Sequence, residues 1–310
     1  IRRRIPGDVD WYTDAVGLVR DVAFDRDDAG NLTFRAKGVG PLDLVARRVV
    51  GYPAGTKFVD KRGPSDTVIA AYVEENVATS ATIALGRYAS GVTSGFSVAA
   101  AAGGGTTWDG SRHMQNVLTT IQGISLQTAD VEFRINTTVG GGSVAWEFET
   151  VTPQIGTDRS ATIIFSEAMG NLGSPKYANA KAVARNPVFV LGPGEKADRI
   201  VIIANSLTRQ AGSPWALAET THEATQERTG ASLANVGATK LEQTKPYVEF
   251  AFAPIETQAT RYGRDYFLGD TVTAIAQDGT VLTLRVIGVT IRSDGGTGAE
   301  TISLDVRVLR

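Results

Sequence analysis

The chain has 310 residues, 42% hydrophobic and 21% charged, a composition of folded globular proteins that is neither disordered nor membrane-spanning. Its 31 Lys and Arg against 33 Asp and Glu give a net charge of −2, which supplies no overall basic field for nucleic acid. The absence of cysteine excludes disulfides and thiol chemistry, and the length predicts two or three domains rather than one small core.

The longest apolar runs, such as 98–102, are far too short for a bilayer span. The first residues are basic and lack the apolar core of a signal peptide. Residues 1–5 read as a strand entered midway, so we expect sequence upstream of Ile1.

Residues 16–24 and 31–37 flank a turn-rich stretch, which predicts a β-hairpin. Leu42, Val45, Ala46 and Val49 predict a short amphipathic helix. A better helix follows Gly63-Pro64-Ser65, with Ser65 expected as N-cap. Its apolar face holds Ile69, Tyr72, Val73 and Val77, while Glu74, Glu75 and Asn76 are expected mostly in water. Residues 81–102 are β-like. The glycine run ending at Gly105 lacks the ending of a phosphate-binding loop, which argues against nucleotide binding. Asp109 or Ser111 is expected to cap a third helix with Met114, Val117, Leu118 and Ile121 on one stripe.

The clearest β signal follows. Val131, Phe133 and Ile135, then Val144, Trp146 and Phe148, alternate with polar or small residues on either side of Gly140-Gly141-Gly142. The stretch Asp158-Arg159-Ser160 leads into an apolar run ending at Phe165 and reads as a third strand beside that hairpin. Ser166-Glu167 and Gly170-Asn171 end it before Leu172. Two strands are expected at 188–191 and 199–204, and a surface helix from about 231 to 244. Four further strands lie at 247–253, 271–276, 281–291 and 301–309, with Asp278-Gly279 forming a type I′ turn. Such strand density suits a small antiparallel barrel or sandwich.

Chemistry is sparse. His113 has no ligand or catalytic partner at suitable spacing, and His222-Glu223 begins a zincin pattern that fails at Gln226. Glu147 and Glu149 share a strand face and read as solvating a half-exposed hairpin rather than as a glycosidase pair. Asp25, Asp27 and Asp28 lack the spacing of a calcium loop. We therefore assign no catalytic, cofactor-binding or metal residue, and expect a non-enzymatic protein without cofactors.

Two segments carry a resemblance. The first is DRSATIIFSEAMGNL, with Asp158, Arg159, Ser160, Phe165, Ser166, Asn171 and Leu172. The second is a YGxDxxLGDxV pattern, with Tyr262, Asp265, Leu268, Gly269 and Asp270. In this order, after the hairpins and helices above, they resemble the ReqiPepy6 Gp37-like virion proteins, relatives of the baseplate hubs of tailed bacteriophages. The resemblance covers the chain from about residue 8 onward.

It implies an α+β, mainly β fold with antiparallel β-barrel tube-like domains and smaller helix-containing domains. The expected division is part of a first barrel at 1–60, an α+β insertion at 61–130, a mainly β domain at 131–215, a helical segment at 216–245 and strands of a second barrel at 246–310. The implied function is a tail-tip hub, a homotrimeric ring that adapts the six-fold tail tube to a three-fold tip around the DNA exit channel. Implied partners are the distal tail or tail-tube protein, the tape measure and tip or fibre proteins, with no specific nucleic-acid binding and no membrane span. The implied location is the virion tail tip, after assembly in the bacterial cytoplasm. A glycan-binding module using Trp108, Trp146 or Trp215, a cell-wall hydrolase and the hub of a tail-like injection machine are the competing readings.

Overall fold

The structure is a computed structural model of the full chain. It describes residues 2–4, 9, 11–13, 15–78, 80–87, 91, 94–180, 182, 184–211, 215, 217–227, 229–293 and 300–309. The fold is α+β and mainly β. The chain forms two compact units, one of residues 1–153, 191–202 and 223–239, the other of 154–190, 203–222 and 240–310.

The first unit opens with two short paired strands, β1 (Arg2–Arg3) and β2 (Tyr12–Thr13). The expected hairpin follows as β3 (Leu18–Arg26) and β4 (Leu32–Val39). Its turn is set by Asp27, whose two carboxylate oxygens each accept 2.8 Å bonds from the Asn31 backbone and side-chain amides. Helix α1 covers only Asp43–Ala46, a single turn where a longer helix was expected. β5 (Val59–Pro64) then pairs with β7 (Thr107–Arg112).

Helix α2 spans Ser65–Asn76, and its apolar face is as expected: Ile69, Tyr72, Val73 and Val77 are all fully buried. Two expectations fail here. Pro64, not Ser65, occupies the N-cap position, because the Ser65 hydroxyl is directed to Asp130. Asn76 is buried, because its amide accepts from Gly51 N–H and donates to the Tyr72 carbonyl. Among the described residues of 81–102, only β6 (Phe96–Val98) is a strand, and residues 83–85 form a 3-10 turn.

Helix α3 runs Val117–Thr128, capped by Asn116, whose side chain accepts from Thr119 N–H. Asp109 and Ser111 do not cap it; both lie in β7. Met114 lies outside the helix and is exposed, so the buried stripe is Val117, Ile121 and Ile124. The alternating hairpin is present as β8 (Glu132–Gly140) and β9 (Ser143–Val151), with β6 added parallel to β9. Phe148, Phe96 and Trp108 join α2 and α3 in one core. Burying each such side chain is worth about 1.5–3 kcal/mol.

The second unit holds β10 (Ile164–Phe165) and β11 (Leu172–Ala180). Strands β12 (Val188–Leu191), β13 (Val201–Ala204) and β14 (Thr220–Glu223) pair in the order β13-β12-β14. Helices α4 (Leu207–Ala211) and α5 (Gly230–Gln243) follow, α5 close to the expected surface helix. The chain passes between the units within β12, β13, β14 and α5.

The last strands are β15 (Tyr247–Pro254), β16 (Thr271–Ile275), β17 (Val281–Ser293) and β18 (Glu300–Leu309). They differ from the expected antiparallel barrel. The sheets are β10-β16-β17-β18 and β11-β15, and among the described residues none closes on itself. β10 runs parallel to β16 and does not join the β8–β9 hairpin, which corrects the expected third strand. β15 packs beside β18, yet the two belong to different sheets. The β11–β15 ladder is interrupted between Gly173 and Lys176, where Pro175 has no N–H to give.

Six strands nonetheless surround one core. It includes Phe165, Leu172, Phe250, Phe252, Tyr266, Val272, Leu284, Ile302 and Leu304. The 277–280 turn is not type I′, because only Gly279 has a positive φ, of 81°, where that turn needs two.

Candidate functional site

The two sequence segments that carry the resemblance meet in the second unit. Residues 157–165 run beside the start of β16. Arg159 N–H donates to the Thr271 carbonyl at 2.8 Å, Thr271 N–H donates to the Thr157 carbonyl at 3.0 Å, and Asp158 bridges Thr271 in parallel. Farther along, Thr273 Oγ1 donates to the Ser160 carbonyl at 2.8 Å. The polar DRS triplet thus forms a turn hydrogen-bonded to β16, and the strand proper is only Ile164 and Phe165.

Asp270 organises the junction. Its Oδ1 accepts Thr157 N–H at 2.7 Å, while Oδ2 accepts Arg159 Nε at 2.8 Å and Phe267 N–H at 2.9 Å. The carboxylate is almost fully buried, so each of these bonds replaces one to water. The Arg159 guanidinium also lies over the Phe267 ring at 5.8 Å.

Asn171 closes the first segment on itself. Its Oδ1 accepts Ser166 N–H and its Nδ2 donates to the Ile164 carbonyl, both at 2.8 Å. Ser166 Oγ accepts Met169 N–H at 3.1 Å, which leaves Phe165 and Leu172 directed into the core. Asp158 accepts Ser160 N–H at 2.9 Å, and the hydrogen bonds from Ser160 hold its carboxyl below the ordinary value.

The second segment is a compact loop. Asp265 grips Arg264 through Nε at 2.9 Å and Nη2 at 2.8 Å, and accepts Arg261 N–H at 2.8 Å. Tyr262 stacks edge-on against Tyr266 at 5.6 Å, and Tyr266 against Phe165 at 5.5 Å. Leu268 is half exposed and takes no part in the core. Gly269, at φ 94°, lies against the backbone of Ile155 and Gly156; a Cβ on Gly156 would stand 2.2 Å from the Gly269 carbonyl carbon.

Sequence reasoning missed Gly156, Thr157, Thr271 and Arg285. Arg285 is buried and donates to the Gly269 carbonyl at 3.2 Å and to the Ile155 carbonyl at 2.8 Å. The only available signal was a lone arginine between Leu284 and Val286 in an apolar strand.

The arrangement is a lock between chain segments. Asp270 spends its oxygens on three donors, and Arg159 is held by it. The other chemical candidates are dispersed: Glu149 pairs with Arg134, Glu223 with Arg199, and His113 meets Phe58 edge to face. No group of three His, Asp or Glu able to hold a metal occurs among the described residues, and no helix there is long and apolar enough to cross a membrane. Trp108 is buried and Trp146 half-buried, so of the candidate sugar-binding tryptophans only Trp215 is well exposed.

The chain has the fold of a phage tail protein. It shares that fold with the 43 kDa tail protein of prophage MuSo2 from Shewanella oneidensis, at a TM-score of 0.54 and 10% identity over 94% of this chain and 78% of that one. A tail protein from Neisseria meningitidis MC58 is similar at a TM-score of 0.49 and 10% identity, over 95% of this chain and 80% of that one. No curated protein matches the sequence. The Siphovirus ReqiPepy6 Gp37-like protein family matches residues 7–304, and the chain belongs to that family.

Proposed function

We propose that the chain is a structural subunit of the tail tip of a long-tailed bacteriophage, a baseplate hub of which three copies form a ring. The ring adapts the six-fold tail tube to the three-fold tip and surrounds the DNA exit channel. Family membership and the tail-protein fold support this reading. The observation that carries it is the β3–β4 hairpin. Val22, Phe24, Leu32 and Phe34, with Ala36 and Arg26 at their sides, line one face of that ribbon and the four large apolar residues are all exposed, while the opposite face carries Asp21 and Asp25 with Lys37 and Arg35.

A two-stranded ribbon is marginal by itself in water, and among the described residues this apolar face stays exposed. Upstream strands of the same chain, expected as the rest of a first barrel, or other subunits cover such a face. In the ring, β3–β4 and the six strands of the second unit contribute to barrel-like walls completed between copies, with the Arg159–Asp270 lock holding the second wall's segments in place. The segments named from sequence, from Asp158 through Asp270, thus have an architectural role. The role is mechanical rather than catalytic. Its partners are the tail-tube or distal tail protein, the tape measure and tip or fibre proteins, and DNA passes through without sequence-specific contacts. The protein resides in the virion, after assembly in the host cytoplasm.

Antibody labelling of intact particles tests the placement. Label confined to the tail tip is expected; label along the tube or on the head contradicts the reading. The same ring in a headless contractile particle would identify the injection-machine variant. The exposure of Trp215 favours one second reading, glycan binding. Loss of glycan-array signal in Trp215→Ala would support it, and no signal from the native chain removes it.

A further inference from the structure

Residues 191–202 and 223–239 belong to the first unit although they come from the second half of the chain. Among the described residues, none of them enters that unit's apolar core. Their own apolar side chains turn inward on the segment: Leu233 is fully buried, and a Cβ on Gly192 would stand 2.8 Å from its Cδ1. An ion pair joins the segment to β7. Arg112 Nη1 meets Glu227 Oε1 at 2.9 Å, with the two side chains 12% and 10% exposed. Beside it, Gln115 Nε2 donates to Gln226 Oε1 at 3.0 Å.

The two halves of the pair are held differently. Arg112 is fixed to β7. Its guanidinium lies 5.0 Å over the Trp108 ring, and Nη1 also donates to the Ser111 carbonyl at 2.7 Å. Trp108 is itself locked: it is fully buried, edge-on to Tyr72 at 6.2 Å, and its Nε1 donates to Gln127 Oε1 at 2.6 Å. Glu227 sits instead in a turn closed on its own segment. Its N–H donates to the Ala224 carbonyl at 3.0 Å, and Ala224 N–H donates to the Leu191 carbonyl at 2.8 Å. Those bonds survive departure of the turn from β7. Thr225 and Gln226 are exposed and Ala224 is half-buried, so lifting the turn uncovers no large apolar side chain of its own.

We propose that Arg112 and Glu227 form a latch. The turn at 224–227 docks on β7 through this pair and detaches from it as a unit, while the core beneath stays folded. Burying both charges costs hydration that their attraction roughly offsets, so the closed form gains little over an open form with both charges in water. Opening breaks polar contacts that water replaces and displaces no member of the apolar core, which places it well below global unfolding in free energy. The latch is a property of the first unit and stands whether or not copies form a ring.

The chain has no cysteine, so spin labels on Gln115→Cys and Gln226→Cys report the distance across the joint without background. Neither position is buried. Pulsed electron paramagnetic resonance is recorded for the full-length labelled chain and for the same chain carrying Glu227→Ala or Arg112→Met. Methionine keeps an unbranched stem beside Trp108 and removes the charge. The parent should show one dominant short distance. In either variant the ratio of a longer distance to the short one should rise at least about tenfold, because the remaining charge is uncompensated only when the latch is closed. Circular dichroism and the main thermal transition should be nearly unchanged. Glu227→Gln, which keeps a hydrogen-bond acceptor, should fall between parent and Glu227→Ala. A single short distance in both variants overturns the latch. Cooperative unfolding of the first unit in both variants also overturns it, because the pair would then belong to the core and not to a joint.

Discussion

Arg159 and Asp270, 111 residues apart in sequence, meet at 2.8 Å between Nε and Oδ2, where the Asp270 side chain is 3% exposed and the Arg159 side chain 35%. The pair joins the beginning of the first sequence segment to the end of the second. Its importance lies less in the ion pair than in what else depends on the carboxylate, namely the N–H groups of Thr157 and Phe267.

Asp270→Ala should therefore destabilise the second unit by about 3–5 kcal/mol, because it leaves two backbone donors and a guanidinium without their acceptor. Arg159→Met should cost less, about 1–2 kcal/mol, since its partner keeps two N–H donors and the arginine is partly solvated. Urea unfolding of both variants measures this, and equal losses would contradict the ordering.

The contact of Gly156 with Gly269 makes a steric prediction. Both have φ of 94°, and a Cβ on Gly156 would lie 2.2–2.6 Å from three backbone atoms of residues 269 and 270. Gly156→Ala should prevent native packing of the second unit or cost more than about 3 kcal/mol. Gly30→Ala is the control: φ is 87° but nothing lies within 4 Å, so only the backbone cost of about 1–2 kcal/mol applies. Thermal unfolding of the two variants separates the contributions.

Asn171 predicts a local effect. Asn171→Ala removes both the acceptor for Ser166 N–H and the donor to the Ile164 carbonyl, at a cost of about 2–4 kcal/mol. Asn171→Asp keeps the acceptor but sets a buried carboxylate oxygen against the Ile164 carbonyl, so at neutral pH its denaturant midpoint should be no higher than that of the alanine variant.

Asp265 sets an acid limit. Hydrogen bonding from the Arg264 side chain, opposed by partial burial and aided by Arg261 N–H, holds its carboxyl below 3.8. A group with a depressed folded-state value contributes stability that is present above the unfolded value and lost as pH falls through the folded one. Stability should thus decline as pH drops below about 4, and Asp265→Asn should flatten that part of the profile. An unchanged acid slope in the variant would contradict the assignment.

Much of the architecture is legible in the sequence where period and punctuation agree. The β3–β4 and β8–β9 hairpins, the buried face of α2 and the four C-terminal strands all follow from alternation, helical spacing and turn residues. The failures share a cause, which is tertiary partners overriding local signals. Ser65 offers itself as a cap but bonds Asp130, Asn76 looks solvent-facing but holds Gly51, and Met114 fits a helical stripe but precedes the helix. In the candidate site, Phe165 is readable as core from the apolar run that it ends. The meeting of Arg159 with Asp270, the approach of Gly156 to Gly269 and the burial of Arg285 are not, because each depends on segments more than a hundred residues apart or on a backbone contact without a side-chain signal.

The hairpin offers a solution readout of assembly. The hydrogen-bonded amides of β3 and β4 should exchange rapidly in the monomer and become at least about tenfold protected in the assembled protein, while α2 and α3 amides stay protected in both. Equal exchange of the hairpin in the two states would mean that it remains uncovered.

The central claim is that copies of this chain form the ring at the tail tip, and electron microscopy of isolated tail tips, reconstructed without imposed symmetry, tests it most directly. A three-fold ring of this chain around a central channel, with six barrel-like lobes, is expected. A chain present as single, separate subunits, or absent from the channel wall, would contradict it.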